Sequence, residues 1–177
     1  MKTTSLSKTT KIILGIITTA TITACAWIAS SLVRHPVGSY DTFSSYLASL
    51  PDHSFIKTKL HGRDFTLEVV NTPSSIQQGL SDRNAIGCDG MLFVMPNKGN
   101  HSFWMPRMHF DLDILWFDEN RLLQISDHVP AAPAGAQQWQ LPLYTSHQPS
   151  NIVLEIPAGR SELTGITVGD TLELIID

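Results

Sequence analysis

One stretch of the chain alternates between two sets of side chains in the way that a β-strand requires. From residue 110 onward, successive residues belong by turns to one of two sets: Phe110, Leu112, Ile114 and Trp116, or Asp111, Asp113, Leu115 and Phe117. A period of two over eight residues, rich in aromatic and aliphatic types, predicts a strand with one fully buried face. The second set is acidic at its start and apolar at its end, which predicts that one end of the strand is solvated and the other covered.

Other short apolar segments, separated by turn residues, indicate the fold class. They span residues 65–70, 91–95, 122–125, 152–156 and 172–176. Residues 40–50 and 72–79 have the cap and spacing of short helices instead. Many short strands with a turn every eight to twelve residues are typical of antiparallel sandwiches and barrels. We therefore expect a mainly β, antiparallel sandwich or barrel-like domain with one or two short helices, preceded by an N-terminal transmembrane helix.

The N-terminal 34 residues predict export of the rest of the chain. Three lysines precede residues 12–33, a run of 22 residues without a charged side chain. About 20 apolar residues cross a bilayer as a helix, and a basic flank keeps the N-terminus in the cytoplasm. The expected location is the cytoplasmic membrane, with a single pass and the C-terminal body periplasmic or extracellular. The membrane is thus the first expected partner.

Two other interpretations of this leader stay open. Ala24-Cys25-Ala26 resembles a cleavage site, which would release a secreted protein, and residues 22–25 resemble a lipoprotein box, in which Cys25 would be acylated. The apolar run continues past Cys25, where a processed protein would normally turn polar, so an uncleaved signal anchor is favoured. All three interpretations export the body.

The composition of the body limits its partners. We expect a signal anchor at 1–34, a linker with a short amphipathic helix at 35–61 that leads into the first strand, and a β domain at 62–177. Residues 35–177 carry 8 basic and 16 acidic side chains, a net charge of about −8. Such a surface is a poor match to phosphate backbones, so nucleic-acid binding is not expected. Cys88 has no partner for a disulfide and is expected to be a partly buried small side chain.

Several short motifs follow one another in a recognisable order. They are Gln78–Arg83, Gly90–Val94, Phe103–Met105 with Leu112–Ile114, Val153–Glu155 with Ala158-Gly159, and Gly165-Ile166 with Gly169-Asp170. Over roughly residues 62–177 this set resembles the DUF192 family, a domain of unknown function. The chain departs from the family pattern at Ser81, at Pro106-Arg107 and at Asp111. The resemblance implies a compact β-sandwich, frequently exported or membrane-anchored, and it implies no activity.

Two carboxylates in predicted strands are candidates for catalysis. If Asp113 and Glu155 faced one cleft, they could act as acid and base on a glycosidic bond, as in a hydrolase of envelope polymers. The alternative is that one or both pair with Arg83, because a buried carboxylate needs such a partner to be tolerated. The first alternative predicts an enzyme and the second predicts a non-catalytic module.

A binding site is the other expectation for the region around Trp104 and Met105. These residues precede a proline, so they are expected at the end of a sheet. The long loop 129–150 carries Trp139 and Tyr144, whose rings could close over a sugar or peptide resting on Trp104. The alternative for Trp104 is a core position with its ring N–H bonded.

Sulfur and imidazole side chains cluster in the same region and suggest a third function. Thioether and imidazole ligands suit Cu(I), and the candidate ligands are His101, Met105, Met108 and His109. The alternative is that the methionines fill gaps in the core while the histidines lie on turns. Common enzyme signatures are absent from the sequence. The preferred hypothesis is a membrane-anchored, extracytoplasmic binding or accessory module of the cell envelope, with a glycan or peptide ligand and no cofactor.

Overall fold

The computed structural model describes residues 42–133 and 135–175 of the chain, and these form nine strands and three short α-helices. The strands are β1 Ser54–Leu60, β2 Arg63–Val70, β3 Gly90–Gly99, β4 Ser102–Phe103, β5 Leu112–Asp118, β6 Arg121–Val129, β7 Tyr144–Thr145, β8 Ser150–Pro157 and β9 Glu173–Leu174. The helices are α1 Phe43–Ser49, α2 Pro73–Gln78 and α3 Arg160–Thr164, with a 3-10 turn at Gln138–Gln140. The prediction of a mainly β domain with few short helices is confirmed.

Seven of the strands form one curled sheet in the order β6-β5-β8-β3-β2-β1-β9. The expected sandwich of two stacked sheets is therefore wrong, although β4 and β7 pair separately as a small ribbon. The pairing is also not purely antiparallel, because β2 and β3 run parallel. Helix α2 and the loop after it connect these two strands, and such a crossover is long enough to return the chain to the same end of the sheet.

The two edges of the sheet meet through the segment that precedes β9. Arg121 at the start of β6 forms a bridge with Thr171. Around this bridge, the backbone N–H of Leu122 donates to the carbonyl of Asp170 at 2.9 Å, and the N–H of Leu172 donates to that of Asn120 at 2.8 Å. These hydrogen bonds protect edges that would otherwise offer unpaired backbone groups. The barrel-like part of the prediction is thus correct in outline.

Each face of the sheet carries its own apolar core, and β5 contributes to both. Leu112, Ile114 and Trp116 belong to one cluster, while Leu115 and Phe117 belong to the other. We call the cluster that contains Ile114 the pocket-side core. The predicted alternation is confirmed from Leu112 onward, with two corrections: the strand begins at Leu112 rather than at residue 110, and Asp113 is fully buried rather than solvated.

The helices begin where the sequence supplies caps. Thr42 and Thr72 cap α1 and α2 through capping boxes, and Pro73 occupies the first turn of α2, which ends at Gly79. Helix α1 places Leu47 fully in the core on the face of the sheet opposite the pocket-side core. Strand β1 lies within the segment expected to be a linker, and it is an integral member of the sheet.

The expected transmembrane helix at 1–34 lies outside the described residues. Within 42–133 and 135–175, no helix is long and apolar enough to span a bilayer.

Candidate functional site

A cavity of about 200 Å³ lies over the pocket-side face of the sheet. One wall is the end of α2 and the turn after it, residues 76–81, and the other wall is the segment 102–108. Strands β3 and β8 form the floor. The lining side chains are mostly apolar or aromatic and include Phe93, Met95, Phe103, Trp104, Met105, Met108 and Glu155. A concave apolar site with few polar groups is the usual form of a small-ligand pocket.

Glu155 is the ionisable group on the floor of this pocket. In the register of the sheet it lies opposite Met91 of β3 and Ile114 of β5, both members of the pocket-side core. Its side chain is buried, with a relative exposure of 5%. Its carboxyl group has no hydrogen bond or ion pair with the residues that the structure describes. Burial in apolar surroundings therefore raises the pKa of Glu155 to about 8, so that most molecules hold a proton on it near neutral pH.

The aromatic side chains of the pocket are held by edge-to-face packing. The Phe103 ring meets that of Phe93 at 5.1 Å between centroids and that of Trp116 at 5.4 Å, nearly perpendicular to both. Such pairs are favourable beyond the area that they bury. Trp104 is the most exposed of the large lining residues, at 38%, so it forms the rim of the pocket. A Trp104 that supports a ligand must be accessible in this way, whereas the alternative of a core position would require it to be buried.

Two glycines shape the pocket because a side chain would not fit. Gly79 has a φ of +50°, and an added Cβ would meet the Phe93 ring at 3.3 Å. At Gly90 an added Cβ would lie 2.6 Å from the carbonyl oxygen of Glu155, closer than real Cβ contacts. The first glycine lets the chain turn down from α2 to the sheet. The second lets β3 approach β8 and so fixes the position of Glu155.

Asp113 is a structural carboxylate. Its Oδ1 accepts the backbone N–H groups of His128 at 2.9 Å and Gly159 at 3.0 Å, and its Oδ2 accepts both the N–H of Ser161 at 2.9 Å and the hydroxyl of Ser161 at 2.7 Å. Burial alone would raise the pKa of Asp113, but these hydrogen bonds outweigh it and hold the pKa below the ordinary value. These hydrogen bonds connect Asp113 of β5 to His128 of β6 and to Gly159 and Ser161 at the start of α3. The carboxylate therefore holds β5, β6 and α3 together.

The two carboxylates cannot act together on one substrate. Asp113 lies opposite Ile156, which belongs to the core on the other face, whereas Glu155 lies opposite Ile114. Directly opposed residues of an antiparallel pair project to the same side of a sheet, so Asp113 and Glu155 project to opposite sides. The hypothesis that both face one cleft is wrong.

Arg83 pairs with neither of them. Its guanidinium makes two parallel bonds to Glu68, at 2.6 and 2.9 Å, and the Nδ1 of His53 meets the same carboxylate at 2.7 Å. The hydrogen bonds from Arg83 lower the pKa of Glu68 despite its burial. The expected pairing of Arg83 with Asp113 or Glu155 is therefore wrong. Sequence reasoning missed Glu68 because Phe65, Leu67 and Val69 alternate with Thr66 and Glu68, a pattern that predicts an exposed position for Glu68.

The long loop 129–150 lies apart from the lining of this pocket. Trp139 is 81% exposed, and Tyr144 pairs with Phe103 in the ribbon of β4 and β7 while it packs against the pocket-side core. The loop instead borders an adjoining depression of about 560 Å³ beside Arg107 and His109, which shares Pro106 and Met108 with the pocket. Residues 76–81 take the place expected of the loop. A glycine directly after a capped helix was the available signal that the chain turns there.

The four candidate ligands for Cu(I) occupy structural positions instead. Met105 and Met108 lie in the pocket-side core, which favours the interpretation that they fill gaps. A ring nitrogen of His101 contacts the carbonyl of Asn97, and one of His109 contacts Asn84, each at 2.9 Å. Among residues 42–133 and 135–175, no group of three or more His, Cys, Asp or Glu is arranged to hold a metal. Cys88 is half-buried, and its thiol donates to the carbonyl of Gly90, as expected for a small structural side chain.

Comparison with known proteins places the chain in a family. The model of the DUF192 family, described as an uncharacterized ACR, matches residues 56–174. The chain belongs to the DUF192 family. No curated protein matches it.

Two solved structures resemble this DUF192 protein at low sequence identity. One is a candidate transcription regulator from Sinorhizobium meliloti 1021, 26% identical, with a TM-score of 0.61 over 71% of this chain and 97% of that one. The other is a protein of unknown function from Novosphingobium aromaticivorans DSM 12444, also 26% identical, with a TM-score of 0.57 over 67% of this chain and 84% of that one.

The motifs that carry the resemblance to DUF192 meet at the pocket. Separate motifs contribute Gln78 to Ser81, Phe93, Phe103 to Met105, and Glu155 to its lining. Their convergence on one cavity, from parts of the chain far apart in sequence, makes this pocket the candidate functional site.

Proposed function

We propose that this DUF192 protein is a non-catalytic binding module of the cell envelope, and that its ligand occupies the pocket beneath Trp104. The observation that carries the proposal is the carboxyl group of Glu155, which lines a mostly apolar cavity and has no hydrogen bond or ion pair with any residue that the structure describes. An unpaired buried polar group costs stability, so a chain that retains one at a cavity usually gains from it in function.

The lining favours a compact ligand with an apolar body. Phe93, Phe103 and the buried methionines offer apolar surface, and the polar side chains of the lining are Gln77, Gln78, Ser81, Ser102 and Glu155. Of the two ligand classes considered from the sequence, a peptide side chain or similar small group suits a cavity of about 200 Å³ better than a polysaccharide. A glycoside hydrolase of the kind considered from the sequence would need a second carboxylate beside Glu155, and Asp113 lies on the other side of the sheet.

The proposed location outside the cytoplasmic membrane is inferred from residues 1–34. The lysines at positions 2, 8 and 11 and the charge-free run 12–33 support a signal anchor that holds the domain outside the cytoplasmic membrane. A ligand that comes from the cell envelope is consistent with that location.

Protease accessibility tests this topology. Protease added to intact cells, or to spheroplasts where an outer membrane intervenes, is expected to digest the body while a cytoplasmic marker survives, because the basic flank retains only the N-terminus inside. A body that resists protease until the cells are lysed would rule out the topology.

Methyl NMR tests the site. The chain has five methionines, of which Met95, Met105 and Met108 line the pocket. With the full-length chain in lipid nanodiscs and its methionine methyls labelled with 13C, benzyl alcohol is expected to shift these three signals. Shifts confined to methionines outside the pocket, or no shift at all, would contradict the proposal.

Two tryptophan variants separate binding from folding in the same experiment. Trp104→Ala is expected to weaken the affinity for benzyl alcohol, measured from the methyl shifts, at least tenfold. Its melting temperature is expected to change little, because Trp104 lies at the rim of the pocket. Trp139→Ala is the matched control, since Trp139 is exposed and lies outside the pocket lining. Loss of the fold in Trp104→Ala, which a core tryptophan would cause at a cost of roughly 3–5 kcal/mol, would show that Trp104 is structural.

A further inference from the structure

We infer that the ligand of this pocket is a small organic cation, an ammonium ion with an apolar body, whose charge pairs with Glu155. This inference rests on the proposed function and adds the chemical class of the ligand. It stands on three features of the pocket: an unpartnered carboxyl on the floor, aromatic rings around it, and no cationic side chain in the described lining.

The charge of the pocket excludes anions as preferred ligands. No lysine, arginine or histidine occurs among the lining residues that the structure describes, so an anion would meet no counterion there. The cations of the flanking segments are engaged elsewhere. Arg83 binds Glu68, and Arg107, which is exposed, binds Asp82 at 2.9 Å.

The aromatic residues supply the second element of a cation site. The rings of Phe93, Phe103 and Trp104 all line the cavity. Aromatic faces attract ammonium groups, and the attraction is greater where water is excluded. The carboxylate of Glu155 gives the ligand a counterion, and the aromatic rings give its apolar body a surface to pack against.

A bound cation would also give the buried carboxyl of Glu155 the partner that it lacks among the described residues. An opposite charge within about 4–6 Å typically lowers a carboxyl pKa by 1–3 units. The pKa of about 8 would then fall below neutral, and the bound cation would displace the proton into solvent. Binding and ionisation of Glu155 are therefore linked, so affinity must depend on pH.

Other titratable groups near the pocket could also make the binding of a cation depend on pH. Walls and floor contribute no titratable side chain other than Glu155 among the described residues. On the same face of the sheet, with Met91 between, lies Glu68, which Arg83 and His53 contact. The histidines on the segments nearer the pocket wall are His101, bonded to the Asn97 carbonyl, and His109, bonded to Asn84. Because an imidazole near the pocket could also affect the binding of a cation, these histidines require a control.

A series of three aryl probes tests the inference on the full-length chain in nanodiscs, with the pocket methionine methyls as reporters. The probes are benzyltrimethylammonium, benzyl alcohol and benzoate, which share an aryl body and differ in charge. Because the quaternary ammonium cannot titrate, its affinity is expected to rise by up to about tenfold per pH unit from pH 6 to 8 and to level off above, as Glu155 ionises. Benzyl alcohol is expected to show no such rise, and benzoate to bind most weakly.

Variants assign the linkage to one residue. Glu155→Gln is expected to remove the pH dependence of benzyltrimethylammonium binding, while the double variant His101→Gln, His109→Gln keeps it. Should Glu155→Gln fail to fold, the pH profile of the wild-type chain with the histidine variant still decides the question.

The failures of the two proposals are distinguishable. If benzyl alcohol binds in the pocket and the cation binds no more tightly at pH 8.5 than at pH 6, the cation inference is overturned and the binding function stands. If none of the three probes shifts the pocket methyls, the inference and the proposed function are both overturned.

Discussion

Two carboxylates on adjacent strands show how strongly a residue's surroundings decide its role. Asp113 and Glu155 are both buried, but Asp113 accepts four hydrogen bonds while Glu155 has no partner among the described residues. Their pKa values shift in opposite directions for that reason. The first carboxylate stabilises the fold, and the second is available for a ligand.

Replacing Asp113 tests the structural half of this contrast. Asp113→Asn is expected to lower the free energy of unfolding by about 3 kcal/mol or more, because a neutral amide cannot satisfy buried N–H donors on both of its atoms. Chemical denaturation at pH 7 measures the loss, and Asp127→Asn, at an exposed position of β6, is the control. An unfolding midpoint equal to wild type would show that Asp113 does not anchor α3.

The pH dependence of this effect has a defined sign. The folded-state pKa of Asp113 is lowered, so its contribution is complete above the unfolded-state pKa of about 3.9 and is lost as pH falls through the folded value. The difference in stability between wild type and Asp113→Asn is therefore expected to narrow progressively as pH falls below about 4.

At the scale of elements, the contact between β3 and β8 positions the pocket floor. Gly90 lies directly against the backbone of Glu155, and the two strands could not pair at this point around a larger residue. The walls are then built on that floor by α2 with its terminal glycine and by the segment that leads to β5.

Two glycines of the same strand provide a matched test. Gly90→Ala is expected to destabilise the protein by about 1–3 kcal/mol or more, because the added Cβ must push β8 away. Gly99→Ala is expected to change stability by less than about 0.5 kcal/mol, since its Cβ would meet nothing closer than 3.9 Å. Equal unfolding free energies for the two variants would contradict the close approach of the strands.

Local patterns predicted the elements better than their assembly. The alternation around Ile114 assigned its neighbours to the correct faces, and Thr72-Pro73 with Gly79 marked both ends of α2. Sequence spacing carries no register, however, so it could not show that Asp113 and Glu155 project to opposite sides. It also could not show that Glu68, in a strand that alternates, is buried against Arg83.

At the scale of the whole molecule, the pocket exists because of long-range pairing. A single sheet, closed at its edges by the bridge between Arg121 and Thr171, gives every strand a defined face. The parallel crossover from β2 to β3 carries α2 across the pocket-side face, where it meets residues 102–108. A prediction of antiparallel strands alone leaves no such crossover, which is why the wall at 76–81 was not foreseen and the loop 129–150 was expected instead.

The central claim, that an unpartnered carboxyl lies on the floor of an apolar pocket, is tested most directly by the titration of Glu155 itself. The chain has five glutamates, and 13C labelling of their side-chain carboxyls with Glu155→Gln for assignment makes each one observable. A midpoint near pH 8 is expected for Glu155, well above the ordinary glutamate value of about 4.3. A midpoint at the ordinary value would mean that the carboxyl is hydrated or paired, and would contradict the pocket described above.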